Sequence, residues 1–198
     1  MYLPTYTNIP SESTIEQLSN HHLLNIFGAC SSWFFIPTRH EENKLGYDAS
    51  LQEHKALIIQ YKAFHPNIKG GGIININIAQ HNQLKSNFPS RATPYAFYAF
   101  SLITDYKTLS SYYASNSGCC KFSDDMVFVD IYDIPANSKS FNTASLRSIR
   151  HYNLNRLAKM CLSCGIGIRQ EYFSELLILS DEENSNLSVI FAHVPRNT

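Results

Sequence analysis

Residues 41 to 62 read EENKLGYDASLQEHKALIIQYK, and the second half of this stretch decides the fold. Its apolar run continues almost unbroken until Gln60, as is typical of a central strand that is buried on both faces. Side chains two residues apart on a strand point to the same face. The pattern therefore predicts a strand at 54–64 with Gln60 and Lys62 on one face and Tyr61 on the other.

An acidic residue, Asp48, precedes this strand by enough residues for the chain to turn and run back beside it. Asp48 lies twelve positions before Gln60, which is far enough for a turn and a return of the chain. Residues 45–50 are predicted to form a neighbouring strand. Together Asp48, Gln60 and Lys62 would bring a carboxylate, an amide oxygen and an ammonium to one small metal-and-water site.

The composition indicates a folded domain without net charge. The chain has 198 residues, of which 16% are charged and 13% aromatic, and its formal net charge is zero. This length predicts a single domain over 1–198, with a C-terminal extension at 140–198 as the alternative. The neutral balance argues against a dedicated high-affinity DNA-binding protein, although it leaves room for a local basic groove.

The compartment is predicted from the cysteines and from the first residues. There are five cysteines, an odd number, and the opening MYLPTYTNIPSES has neither a basic nor an apolar signal region. No apolar run approaches the roughly 20 residues of a membrane span. We therefore expect free thiols, a cytoplasmic location and no membrane partner.

The rest of the chain alternates between helical and strand patterns. Ser13 and Glu16 fit a capping box, which predicts a helix at about 14–28 that ends at Gly28. The other predicted helices are 79–88, 105–114 and 145–164, and the other predicted strands are 32–36, 73–78, 95–103, 126–134, 173–179 and 187–194. Residues 115–125 and 136–144 are predicted to be loops.

This order of elements, with Asp48 before Gln60 and Lys62, resembles the core of the PD-(D/E)xK nuclease superfamily over roughly residues 12 to 104. Asp48 matches the family Asp, Gln60 the acid position in its Gln variant, and Lys62 the Lys. The resemblance implies an α/β fold with a mixed central sheet flanked by helices, restriction-endonuclease-like. Tyr47 stands where the family has Pro, and Leu84 breaks the Gln-x-x-x-Tyr helix of some members.

The resemblance also implies a chemistry. A divalent cation, Mg²⁺ or Mn²⁺, polarises a phosphodiester and supplies a hydroxide, and Mg²⁺ prefers carboxylates and waters as ligands. Asp48 would be the main ligand, Gln60 a neutral oxygen, and Glu42 or Glu16 the second carboxylate. Lys62 would orient the attacking water and offset developing charge. The implied function is a nuclease acting on DNA or RNA, in a bacterial defence or mobile-element system.

Simpler interpretations stand beside these. Glu16 fits a helix cap, Glu42 a solvated loop, and Gln60 a hydrogen-bonded core residue. A non-catalytic nuclease-fold protein that binds a protein or a nucleic acid is the alternative function, and the oligomeric state is left open. A zinc site made by Cys119, Cys120, Cys161 and Cys164 is a third interpretation.

A basic group on the predicted 145–164 helix is the candidate nucleic-acid surface. Its members are Arg147, Arg150, Arg156 and Lys159. At helical spacing the first two are neighbours, and the last two repeat that spacing further along. These side chains form either a phosphate-contacting face or a solvated helix face.

Overall fold

The computed structural model describes residues 9–28, 33–35, 54–62, 65–66, 72–114, 118–135, 140–163, 165–169 and 187–193. The helices in this part of the chain are α1 Glu12–Phe27, α2 Ile78–Asn87, α3 Tyr106–Ala114, α4 Gly118–Asp124, α5 Thr143–Ser148 and α6 Leu154–Leu162. The strands are β1 Trp33–Phe35, β2 His54–Lys62, β3 His65–Pro66, β4 Gly72–Asn75, β5 Ala96–Ser101, β6 Met126–Asp130, β7 Ser140–Asn142, β8 Ile168–Arg169 and β9 Leu187–His193.

The predicted mixed α/β class is confirmed by the main sheet. Its strands run in the order β1-β9-β2-β5-β6, and β8 also pairs with β2. The β2–β5 pair is parallel, whereas the pairs formed by β9, β8 and β6 are antiparallel. A second, antiparallel sheet has the order β3-β4-β7. The C-terminal strand β9 lies between β1 and β2, so it belongs to the main sheet.

Strand β2 separates two apolar layers. Ala56 and Ile58 pack with residues of α2, β4 and α5. Leu57, Ile59 and Tyr61 pack instead with residues of α1, α4 and α6. We name these two sides of β2 the α2 face and the α1 face. The strand ends close to where the apolar run predicted that it would.

Helix α1 begins earlier than predicted. Ser11, not Ser13, is the N-cap, and its side chain accepts a hydrogen bond from the Thr14 backbone N–H. The helix ends at Phe27, and the predicted stop Gly28 is its C-cap, whose φ of 87° lies in the left-handed region that favours glycine. Glu16 therefore does not occupy the third position of a capping box; it is a buried residue with only 6% of its surface exposed.

The predicted single helix at 145–164 is wrong, because the chain forms two helices there. Helix α5 ends at Ser148, and α6 starts after Asn153, whose side chain accepts a hydrogen bond from the Arg156 N–H. Between them Tyr152 forms a backbone bridge to Phe128 on β6. Leu146 of α5 belongs to the α2-face layer and Leu154 of α6 to the α1-face layer. Between α5 and α6 the chain thus passes from the α2 face to the α1 face of the sheet beside β6.

Two further loop predictions were wrong in part. Residues 118–124 form α4 rather than a loop, and residues 140–142 form β7. The predicted strands at 45–50 and 173–179 lie outside the described residues. The predicted helix at 105–114 is confirmed as α3, where the Asp105 side chain accepts a hydrogen bond from the Thr108 N–H at 2.6 Å.

Candidate functional site

The site is built on the last three residues of β2. Tyr61 lies on the α1 face, as the strand alternation predicts, and Lys62 reaches α2 on the opposite face. Both long sides of the strand are paired: β9 runs beside residues 54–60, while β8 and then β5 occupy the other side. Gln60 and Lys62 are thus fixed in a central position at the strand's carboxyl end.

Lys62 is held by a neutral partner. Its ammonium donates a hydrogen bond to Oε1 of Gln80, in the first turn of α2, at 3.1 Å. The side chain is partly buried, and Phe100 is its register partner on β5. The ion pair found in the described part of the chain joins Arg150 and Asp133, away from Lys62. The Lys62 charge therefore has no carboxylate beside it among the described residues.

A second lysine on the same strand provides a contrast. Lys55 is 9% exposed, and its ammonium donates to the backbone oxygens of Cys161 and Ile166 at 3.5 and 3.3 Å. These carbonyls lie at and beyond the end of α6, where a cation is favourable because of the helix dipole. Lys55 is thus a structural lysine, whereas Lys62 presents its charge at the strand end.

Gln60 is deeply buried, and its side-chain amide is not satisfied by the described residues. It is 1% exposed, and neither its Oε1 nor its Nε2 has a hydrogen-bond partner among the described residues. The interpretation of Gln60 as a hydrogen-bonded core residue is therefore not supported by the described contacts. Such an amide is unusual, because the great majority of buried side-chain polar atoms are hydrogen-bonded.

Two residues beside Gln60 were not identified from the sequence. Tyr98 is the register partner of Gln60 on β5, and its hydroxyl lies 3.4 Å from Nδ1 of His81. Both are buried, at 0% and 2% exposure. Burial, and secondarily the charge of Lys85, lowers the pKa of His81, so its neutral form is favoured. Burial raises the pKa of Tyr98 well above its usual range.

Glu16 is not brought together with Lys62. It lies on α1 near Tyr61, whose pKa is raised well above its usual range by burial and then by the Glu16 charge. The Tyr61 hydroxyl donates to Oδ1 of Asn20 at 2.8 Å. Glu16 therefore lies on the α1 face, with the sheet between it and Lys62. Asp48 and Glu42 lie outside the described residues.

The four basic residues do not form one stripe. Arg147 is on α5 and Arg156 and Lys159 are on α6, helices that pack against different layers. Arg150 lies between these helices, and its Nε is 3.3 Å from Asp133 Oδ2. The Arg156 guanidinium lies 5.5 Å from the centre of the Tyr152 ring. The prediction that Arg156 and Lys159 repeat the spacing of Arg147 and Arg150 along one helix is therefore wrong.

Within the described residues, no group of three or more His, Cys, Asp or Glu side chains could hold a metal ion. Cys161 is buried, while the other predicted zinc ligands have side chains outside the described set. The described helices also include none with the length and apolar character needed to cross a bilayer.

Comparisons of the chain with protein-family models, with curated proteins and with solved structures found no match. The geometry around Lys62 is therefore the basis on which a function can be assigned.

Proposed function

We propose that this protein is a divalent-metal-dependent nuclease of restriction-endonuclease-like fold, acting on DNA or RNA. The observation that carries the proposal is the placement of Lys62. It ends a central strand, β2, next to the parallel strand β5. In open α/β sheets ligands bind outside the carboxyl ends of parallel strands. A phosphate at this edge would meet an ammonium whose partner in the described structure is a neutral amide.

The residues that would act on the phosphodiester have separate roles. Lys62 would hold a phosphate oxygen and offset charge as it develops there. Gln80 would position Lys62, since its amide oxygen accepts the ammonium's hydrogen bond. Gln60 is the neutral oxygen in the family's acid position.

The fit to a metal depends on Asp48. Mg²⁺ requires oxygen ligands and usually one or two carboxylates. The described part of the α2 face offers the Gln60 oxygen and the Lys62 cation, which together do not make a cation site. Asp48, with Glu42 as a second acid, would have to supply the negative charge. The bound cation would polarise the phosphate and lower the pKa of its water.

The proposal places the protein in the cytoplasm and in a bacterial defence or mobile-element system. Its test is cleavage of single- and double-stranded DNA and RNA with Mg²⁺ or Mn²⁺ and with EDTA. We expect metal-dependent cleavage that falls about 100-fold or more in Lys62→Ala, the scale for loss of one transition-state contact. Asp48→Ala should abolish it.

Lys107→Ala is the matched control. Lys107 is an exposed lysine of α3, a helix whose buried Leu109 belongs to the α1-face layer. The Lys107→Ala variant loses the same charge as Lys62→Ala without touching the candidate site, so its cleavage rate should equal that of the wild type. Equal rates in Lys62→Ala and the wild type, with both proteins folded, would refute the assignment.

The second candidate function is a non-catalytic protein that binds nucleic acid or another protein with this fold. It is favoured by the neutral, 1% exposed Gln60 at the position where the nuclease family has an acid. Its signature would be binding of a nucleic acid that weakens in Lys62→Ala, with no cleavage under any metal condition.

A further inference from the structure

A group of unpartnered polar atoms lies inside the layer between β2, β5 and α2. Gln60 Oε1, Gln60 Nε2 and His81 Nε2 are all buried and have no hydrogen-bond partner in the described part of the chain. The two residues are 1% and 2% exposed. Their surroundings are apolar, since the same layer is formed by Ile58, Leu84, Phe100 and similar side chains.

Tyr98 neighbours both Gln60 and His81. Gln60 and Tyr98 are register partners on adjacent parallel strands, so their side chains leave the sheet side by side. The Tyr98 hydroxyl lies 3.4 Å from His81 Nδ1, and the two ring centres are 5.8 Å apart. Tyr98 thus lies beside Gln60 in the sheet and against His81 of α2, and we name these three residues the internal triad.

The charge around the triad determines what could fill its unused hydrogen bonds. Lys62 follows Gln60 by two residues on the same face of β2 and is bonded to Gln80, the neighbour of His81, and the charge of Lys85 on α2 acts on His81. A cation would be repelled by both lysines, and an anion would have to lose its hydration in an otherwise apolar layer. The triad itself is neutral and offers both donors and acceptors. A small neutral molecule that donates and accepts hydrogen bonds fits this set.

We propose that the internal triad is a binding site for ordered water. A buried water typically makes about three hydrogen bonds to polar groups that otherwise lack partners. The amide of Gln60, the His81 Nε2 and the hydroxyl of Tyr98 provide that number. This site shares Gln60 with the proposed nuclease site, but it requires neither metal nor cleavage, so either proposal can fail without the other.

The water site also has a consequence for α2. His81 follows Gln80 directly, and Gln80 holds Lys62. A water that joins His81 to Gln60 and Tyr98 would fix the first turn of α2 on the sheet. The triad residues would then be positioning residues for Lys62.

The first test uses the wild-type protein. Nuclear magnetic resonance can detect cross-relaxation between water and the Gln60 side-chain amide protons or the His81 ring protons. We expect cross-peaks of the sign and size of a long-lived bound water. Their absence, or a small molecule other than water released on denaturation and detected by mass spectrometry, would overturn the proposal.

The second test is a double-mutant cycle in denaturant unfolding. Gln60→Met and His81→Phe remove the polar atoms and keep much of the volume. Each should lower the folding equilibrium constant about 5- to 30-fold. The double variant should lose less than the product of the two, by a factor of about 2 or more, because both residues bind the same molecule.

Gln83→Met is the matched control for this cycle, since Gln83 is an exposed glutamine on the same helix. Combined with His81→Phe it should show no coupling. A dry triad gives the opposite result, because removing unpartnered atoms is then favourable and Gln60→Met raises stability. The resonance test needs no substitution, so a variant that fails to fold leaves the proposal testable.

Discussion

Two buried polar side chains at the end of β2, Tyr61 and Gln60, differ in their hydrogen-bond partners. On the α1 face the Tyr61 hydroxyl has a direct partner, Asn20, at 2.8 Å. On the α2 face, one residue earlier, both polar atoms of the Gln60 side chain are without a partner among the described residues. A buried polar group that is left unpaired costs about 1–3 kcal/mol. Tyr61 therefore has the chemistry of a structural core residue, and Gln60 that of a residue that can bind something. The contrast is between these two side chains rather than between whole layers, because Ser19 Oγ on α1 is also buried without a partner among the described residues.

Lysines on the strand show the same division. Lys55, at the start of β2, is bonded to two backbone carbonyls and stabilises the end of α6. Lys62, at the other end, is bonded to one side-chain amide and is partly exposed. The difference indicates that a charge within a central strand is structural where backbone oxygens surround it, and is available to a ligand where they do not.

The largest effect on stability is expected from truncation on the α1 face. Tyr61→Ala removes a fully buried ring, and such truncations cost about 3–5 kcal/mol. Urea unfolding monitored by circular dichroism measures the loss.

Tyr61→Phe sharpens that result, because it keeps the ring and removes only the hydroxyl. The Asn20 oxygen then loses a partner, which should cost about 1–3 kcal/mol. A stability equal to that of the wild type would mean that the hydroxyl bond contributes nothing, and the contrast between the faces would be lost.

Acid should weaken the fold through histidines on both sides of the sheet. Burial, with Lys85, lowers the pKa of His81, and burial, with His21, lowers the pKa of His22. The unfolded chain then binds more protons than the folded one below about pH 6.5, the ordinary histidine value, so stability falls as the pH drops through that range.

Urea unfolding midpoints at several pH values above and below the ordinary histidine pKa measure this dependence. His81→Phe should reduce the slope on acidification, and His22→Gln should reduce it separately. A slope unchanged in His81→Phe would show that the α2-face histidine does not resist protonation.

The smallest effect is expected at Arg150. Its ion pair with Asp133 is partly exposed, with 63% of the Arg150 side chain and 34% of the Asp133 side chain accessible to solvent. Exposed pairs contribute about 0–1 kcal/mol, so Arg150→Ala should barely change the unfolding midpoint. A loss beyond that range would indicate that the segment between α5 and α6 depends on this pair.

The sequence predicted the local elements where one pattern dominates. The apolar run before Gln60 predicted the position of β2. Strand alternation predicted that Tyr61 points to one face and that Gln60 and Lys62 point to the other. The break between α5 and α6 was not predicted because residues 149–153 are compatible with helical spacing. There a cap at Asn153 and a backbone bridge from Tyr152 to β6 override the local preference.

The site was predicted less completely than the strand that carries it. Gln60 and Lys62 were identified from a spacing, but His81 and Tyr98 meet across seventeen residues and carry no motif. Their contact depends on the parallel pairing of β2 with β5 and on where α2 packs, which the sequence pattern did not specify. Glu16 was expected near the same site because the nuclease resemblance implied a second carboxylate there. Its position on the α1 face followed only from the packing.

Binding of Mn²⁺ followed by nuclear magnetic resonance tests the central claim most directly, because it does not depend on finding the right substrate. Mn²⁺ broadens signals near its site. If the α2 face is the functional face of β2, the signals of Lys62, Gln60 and Gln80 should broaden first, and Mg²⁺ should restore them. Asp48→Ala should remove the effect. Broadening centred on Glu16 and Asn20, or spread evenly over the surface, would contradict the assignment.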